Sequence, residues 1–246
     1  MIGEGSGEVA PRIGEAESDV PVDRALLALA RRSFLCELSP ATLKTVLAGA
    51  KTRDFAKREL VFREGDQAKW LAILLEGNVQ LFGLGHDCRE VALEILQPPA
   101  PIAPWAPLTN TPYPASARVI KPARLLLVPA AELRRSLRAE LHLGRVVLEA
   151  LAGQAAAYLE QIKHLKLRTT TQRLGCYLLT LAERAGNGGE VVLPHEKQLV
   201  ASELGMKPES LSRAFAALQE NGVSMVGNRI QLGDIERLRA FCRPGH

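Results

Sequence analysis

The sequence predicts a mixed α+β chain in three parts, and three observations predict it. Between residues 51 and 129, short apolar runs are punctuated by glycine-bearing turns. Between residues 141 and 165, two apolar series each repeat every seven residues. Around Gly205 two short helical patterns meet, and two short apolar runs about Gly227-Asn228 follow them. The expected divisions are a lead at 1–21, a β-roll at 22–139, a long helix at 140–167 and a C-terminal helical domain at 168–246.

Composition bounds the reading. In 246 residues, 47% are apolar and only 4% aromatic, so a core is expected and it must be mostly aliphatic. The net charge of +4 suits an anionic partner but is shared by many ordinary proteins. No apolar run is long enough to predict a membrane span. The lead carries Glu4, Glu8, Glu15, Glu17 and Asp19 where a signal peptide would be basic and then apolar, so a disordered lead and a cytoplasmic location are expected. Cys36, Cys88, Cys176 and Cys242 include no C-x-x-C pair, and they read as idle thiols rather than zinc or iron–sulfur ligands.

The roll opens with two helical patterns. Leu26, Leu27 and Leu29 precede Phe34 and Leu35, and Ser39-Pro40 then supplies an N-cap and a first-turn proline to a helix bearing Leu43, Val46 and Leu47. Strand-like runs follow at Leu60–Phe62, Leu71–Leu75, Val79–Phe82, Val91–Leu96, Ala117–Ile120 and Leu125–Val128. Glu64-Gly65-Asp66, Glu76-Gly77-Asn78 and Gly85-His86-Asp87 read as the turns between them. Residues 98–114 hold seven prolines and read as a loop, because proline cannot donate to a sheet ladder.

One long helix is predicted from Ala130 to Lys166. Leu141, Leu148, Ala155 and Ile162 form one heptad series, and Leu151, Tyr158 and Leu165 form its companion. Two interleaved series are the seam of a coiled coil, so this helix is read as a homodimer interface. The competing reading is a helix packed on its own domain. Gly144 and Gly153 weaken it locally.

The third part begins with a helix over Thr169–Ala185, stopped at Gly186, and a short strand at Val191–Leu193. A helix over Glu196–Leu204 breaks at Gly205, and Pro208 starts a second that buries Leu211, Phe215 and Leu218. Ala201 lets the two approach closely, which makes the pair a helix-turn-helix. Ser224–Val226 and Arg229–Leu232 form a hairpin wing, and Asp234 caps a final helix carrying Ile235, Leu238 and Phe241. The winged helix-turn-helix exposes Glu209, Ser210, Ser212 and Arg213 at the start of its second helix, with Lys207 just before it. Arg213 suits guanine O6 and N7 in the major groove of duplex DNA, Glu209 suits a cytosine amino group, and Ser212 suits a base edge or a phosphate. The plainer alternative is a solvated helix face with a Glu209–Arg213 surface pair at i, i+4.

These features in order resemble the cAMP receptor protein/FNR superfamily of transcription regulators over roughly residues 22–242. The specific segment runs from Leu199 to Arg213, LVASELGMKPESLSR, whose Glu209, Ser212 and Arg213 match the E-x-x-S-R pattern of the FNR branch. The resemblance implies a cyclic-nucleotide-binding-like double-stranded β-helix, a homodimer, a palindrome of the TTGAT–ATCAA kind, and RNA polymerase as a partner of an activator. It argues against cAMP as the effector. Family members that bind it carry Gly-Glu and then Arg-Ser or Arg-Thr, whereas Pro101–Leu108 and Pro112–Ser116 hold no such pair. An iron–sulfur sensor is disfavoured because no cysteine precedes Cys36. The Met206–Ser210 turn and the Asn110–Tyr113 stretch look most like the nitric-oxide-responsive denitrification branch, which can bind haem. Candidate haem ligands are His86, His142 and His164, each of which also reads simply as a surface or helix histidine.

An enzyme is the main competing class, but G-x-S-x-G, HExxH, P-loop and GxGxxG motifs are all missing. A binding protein whose helix-turn-helix serves protein contacts is a second alternative. The closest competitor is a cyclic-nucleotide-responsive regulator with an atypical phosphate cassette.

Overall fold

The computed structural model describes residues 24–85, 90–186 and 189–243. The expected disordered lead, His86 and Cys88 lie outside them. The chain forms two compact units, Met1–Gln154 and Ala155–His246.

In the first unit, α1 (Arg24–Ala30), a short 3-10 turn and α2 (Pro40–Val46) precede the sheet. Ser39 Oγ accepts from Thr42 N at 3.1 Å, so the Ser-Pro start acts as the sequence implied. The strands are β1 (Lys51–Phe55), β2 (Leu60–Phe62), β3 (Trp70–Leu84), β4 (Glu90–Leu96), β5 (Ala100–Ile102) and β6 (Ser116–Pro129), with α3 (Trp105–Thr109) before β6. The sheet is antiparallel in the order β1-β6-β3-β4, with β2 added on β6 and β5 on β3.

The central strands β3 and β6 are buried on both faces, which is why they read as continuous apolar runs. Ala72 and Leu74 join an interior core with Phe55, Phe62, Val119, Leu125 and Leu127. Their neighbours Leu71, Ile73 and Leu75 join a second core with Leu126 and Val128. That second core is covered by Leu43 and Val46 of α2, Leu133 of α4 (Ala130–Ala139), and Leu143, Val146 and Val147 at the start of α5 (Leu141–Leu167).

Four expectations are corrected. Glu76-Gly77-Asn78 is a bulge within one 15-residue strand, not a turn. Gly77 has φ +83°, and a Cβ there would overlap the Pro122 carbonyl oxygen. Likewise Ala117–Ile120 and Leu125–Val128 belong to the single strand β6. The proline-rich segment is not wholly loop: Pro101 sits in β5 opposite Ile73, and α3 follows. Proline is tolerated in β5 because this short strand pairs on one side only. Finally, the long helix is broken at Glu140, whose φ −121° and ψ 98° are extended. An unbroken helix would rotate Leu143 about 80° away from Leu133 around the axis. The break lets both reach the same core.

In the second unit, α6 (Thr170–Arg184), β7 (Glu190–Val192), α7 (Lys197–Glu203), α8 (Pro208–Leu218), β8 (Val223–Val226), β9 (Arg229–Leu232) and α9 (Ile235–Phe241) enclose one core. The three strands form a sheet in the order β7-β9-β8. This is the predicted winged helix-turn-helix. Among the described residues no helix is long and apolar enough to cross a membrane.

Candidate nucleic-acid interface

The turn between α7 and α8 is set by Gly205, with φ +60°. Met206 N donates to Ala201 O at 2.9 Å and Gly205 N to Ser202 O at 3.0 Å, closing the end of α7 with a left-handed glycine. Ala201 is fully buried at the crossing. Arg173 Nη1 of α6 donates to Leu204 O at 2.8 Å and Gly205 O at 3.3 Å. A guanidinium at the C-terminal end of α7 answers its unsatisfied carbonyls and the negative end of its dipole. Sequence reading missed Arg173, because its partners lie 31 and 32 positions away and are backbone atoms.

Pro208 occupies the first turn of α8, where its missing N–H is harmless. Leu211, Ala214, Phe215 and Leu218 are buried, at helical spacing. The opposite face carries Glu209, Ser212 and Arg213, all exposed, with Ser210 half-buried beside them and Lys207 exposed just ahead. Arg213 does not reach Glu209. Its Nη2 donates to Ser210 Oγ at 3.3 Å, and among the described residues Glu209 forms no ion pair. Of the plainer alternative, the solvated face is present and the Glu209–Arg213 contact is not formed. Ser212 Oγ donates to Pro208 O at 3.2 Å, one turn back.

The wing is β8 and β9, turning at Gly227 with φ +66°, and Val226 stands 81% exposed at its tip. β7 pairs with β9 on its other side, and Arg229 Nη1 meets Glu190 Oε1 at 2.8 Å across that pair. Asp234 Oδ1 accepts from Arg237 N at 2.8 Å, capping α9.

The candidate seam lies on α5, 27 residues and about 40 Å long. Leu141, Leu148, Ala155 and Ile162 are exposed, Leu141 by 92% and Leu148 by 67%. Of the companion series, Leu165 is exposed, Tyr158 is half-buried, and Leu151 is half-buried against its own unit's core. The same helix buries Leu143, Val146 and Val147, so one face packs at home while the heptad face is open.

In the roll, the segment opposite a cyclic-nucleotide cassette is apolar. Ile102, Ala103, Ala106, Tyr113 and Ala115 are buried. Tyr113 stacks on Phe62 at 3.7 Å and donates to Trp70 O at 2.6 Å. Nearby Arg118 is held by Glu90 through two 2.6 Å hydrogen bonds and lies over Phe82.

Two of the three candidate haem ligands, His142 and His164, lie among the described residues. His142 is exposed and its Nε2 meets Glu37 O at 3.2 Å, beside Arg145. His164 lies against Arg168 Nη1, at 2.8 Å from Nε2, in a pocket lined by Glu160, Arg173, Arg184 and Glu203. Burial first, and Arg168 second, lower its pKa.

Comparison with known proteins assigns both units. Residues 172–241 match the Crp-like helix-turn-helix domain, and residues 52–140 match the cyclic nucleotide-binding domain. The CRP-like cAMP-activated global transcriptional regulator of Mycobacterium tuberculosis is 24% identical over 220 residues, covering 87% of this chain and 98% of that protein. The nitrogen fixation regulation protein FixK of Azorhizobium caulinodans is 26% identical over 215 residues, covering 85% and 86%. A solved structure of a candidate cAMP-binding regulatory protein from Silicibacter pomeroyi DSS-3 is 30% identical with a TM-score of 0.58, covering 89% of this chain and 99% of that one. The names these relatives carry are those of regulators, not enzymes. Two domain matches in family order, and a 30% identical relative matched almost end to end, place this chain in the cAMP receptor protein/FNR superfamily of transcription regulators.

Proposed function

We propose that this regulator binds duplex DNA as a homodimer, inserting α8 into the major groove of each half of an FNR-like palindrome. Glu209, Ser212 and Arg213 are the base readers, with Lys207 and Ser210 as neighbouring contacts. One observation carries the reading: the acid and the guanidinium at the start of α8 stand exposed on one face and are not neutralised by each other. Such groups are available for cytosine and guanine edges. The open heptad face of α5 supports a parallel dimer, which would set two copies of α8 about one helical turn of DNA apart. RNA polymerase is the expected partner of an activator of this kind, and the cytoplasm its place.

The effector we assign to the roll is not a cyclic nucleotide, since the cassette segment offers buried aliphatic groups where a phosphate needs a guanidinium. A second reading has its own support: the roll matches the cyclic nucleotide-binding domain, and two relatives carry cAMP in their names. Two titrations test these statements. The purified chain should bind a TTGAT–ATCAA duplex at least ~10³-fold more tightly than a scrambled duplex at equal salt. Equal affinity for both would reject sequence-specific recognition. Calorimetric titration with cAMP should show no heat of binding, and saturable binding would favour the second reading.

A further inference from the structure

Sequence reading set the cysteines aside as scattered, yet two of them meet in the C-terminal unit. Cys176 of α6 is half-buried, and Cys242, just after α9, is buried. Cys176 Sγ lies 4.0 Å from Cys242 O, and Cys242 Sγ lies 3.8 Å from Gln172 O, one turn before Cys176. Both cysteines thus donate to backbone carbonyls of one shared patch, Cys176 to the residue that carries the other thiol. The contact is close-packed: a Cβ built on Gly175 would stand 2.6 Å from Cys242 Sγ. Gln172 Nε2 donates to Phe241 O at 3.2 Å, fixing the end of α9 against α6.

Both cysteines line one cleft of about 370 Å³, together with Arg168, Arg239, Arg243, His164 and Glu183. Glu183 and Glu236 partly answer Arg239, while Arg168 stacks against His164. The surplus of guanidinium favours an anion at the half-buried sulfur. In accord with that, the neighbouring Cys242 and then the Arg168 charge lower the Cys176 pKa against its burial, while Cys242 is pushed up. Cys176 is the more accessible of the two thiols, and Cys242 lies buried beside it. That is the division of labour between an attacking and a resolving cysteine.

We propose that Cys176 and Cys242 form a hydroperoxide-reactive dithiol site, with Cys176 the attacking thiolate and Cys242 the resolving thiol. The Cys176 sulfur takes the terminal peroxide oxygen, the O–O bond breaks, and the leaving oxygen takes a proton to become water or an alcohol. Cys176 is left as a sulfenic acid. The Cys242 sulfur then attacks the Cys176 sulfur, the S–S bond forms, the S–O bond breaks, and hydroxide leaves with the Cys242 proton as water. Two thiols lose two electrons, and the peroxide gains them. The site lies in the unit that carries α8, but the chemistry is independent of whether α8 reads DNA.

Peptide mass mapping tests it on the reduced full-length chain. Protein is treated with hydrogen peroxide, blocked with iodoacetamide at timed points, and digested without reductant. Cys36 is exposed and serves as the internal reference. A Cys176–Cys242 cross-linked peptide should accumulate roughly tenfold faster than oxidation of Cys36, the gain in thiolate fraction expected per unit of lowered pKa. In Cys242→Ser, dimedone should capture a sulfenic acid on Cys176. In Cys176→Ser, Cys242 should remain reduced. Circular dichroism melts verify that both variants fold, and the unmutated chain alone decides the outcome if either does not. Oxidation of Cys176 to sulfinic acid without a cross-link, or oxidation no faster than at Cys36, overturns the proposal.

Discussion

The roll and the C-terminal unit treat their charged groups in opposite ways. In the roll, Arg118 of β6 is clasped by Glu90 of β4 across β3, Arg124 of β6 by Asp54 of the adjacent β1, and Arg53 by Glu59. In its cassette segment Ile102, Ala103, Ala106, Tyr113 and Ala115 are buried, while Thr109–Pro112 are exposed. On α8, Glu209 and Arg213 stand on the open face of a helix whose other face is buried, and they do not pair. These charges in the roll are paired within the unit, whereas Glu209 and Arg213 on α8 form no ion pair with each other. Substitutions in the roll should therefore register as stability. Those on the open face of α8 should register as binding alone.

The largest expected effect is in the roll. Gly77→Ala combines a left-handed backbone, worth about 1–2 kcal/mol, with overlap of the Pro122 carbonyl, and should destabilise by about 4 kcal/mol or more. Gly65→Ala is the control, since it shares φ +83° but has open space, and should cost only the backbone part. Urea unfolding that ranks the two equally would break the argument from the bulge. Next, Leu211→Ala on the buried face of α8 should destabilise the C-terminal unit by about 3 kcal/mol, while its neighbour Ser212→Ala should leave the melting temperature within a degree or two. Matched losses would mean that α8 has no free face.

Leu148→Glu should leave both units folded, shift sizing chromatography toward a monomer, and lower affinity for a palindrome by roughly 10²-fold, as expected when two linked half-site contacts become one. An unchanged dimer would show that the seam lies elsewhere.

Smallest are the pH effects, which differ in sign between the units. Hydrogen bonds from Arg118 lower the Glu90 pKa in the folded state. That stabilisation is present above the unfolded pKa and is lost as pH falls through the lowered folded value. With Glu90 half exposed, it is worth under about 1 kcal/mol. Burial raises the pKa of Glu203, and the neighbouring Tyr177 opposes it only in part. Its contribution is present below the unfolded pKa and is lost as pH rises through the raised folded value. Acidification should thus weaken the roll through Glu90, whereas raising the pH should weaken the C-terminal unit through Glu203. Calorimetry across the acid range checks both, and Glu203→Gln should flatten the second dependence.

Much of this was legible in the sequence. Local signals survived intact: Ser39-Pro40 and Asp234 cap their helices, Gly205 makes its turn, and Gly227-Asn228 makes the wing. The capping box of Thr169 with Gln172 was equally local. What failed was non-local. Glu76-Gly77-Asn78 looks like a turn until β6 lies beside it, and Pro101 looks like loop until β3 offers an edge. The break at Glu140 answers the position of a core, not a helix-stopping residue. Arg173 and the Cys176–Cys242 pair depend on chain segments 31 to 66 residues apart, which no spacing rule connects.

The most direct test is a base-by-base substitution scan of the palindrome with the unmutated chain and with Arg213→Ala, at fixed salt. The account predicts that the variant loses about 1–3 kcal/mol only on duplexes carrying the cognate guanine, ceases to discriminate at that position, and melts at the same temperature as the parent. A uniform loss on every duplex would assign Arg213 to a phosphate, and no loss at all would take α8 out of the groove.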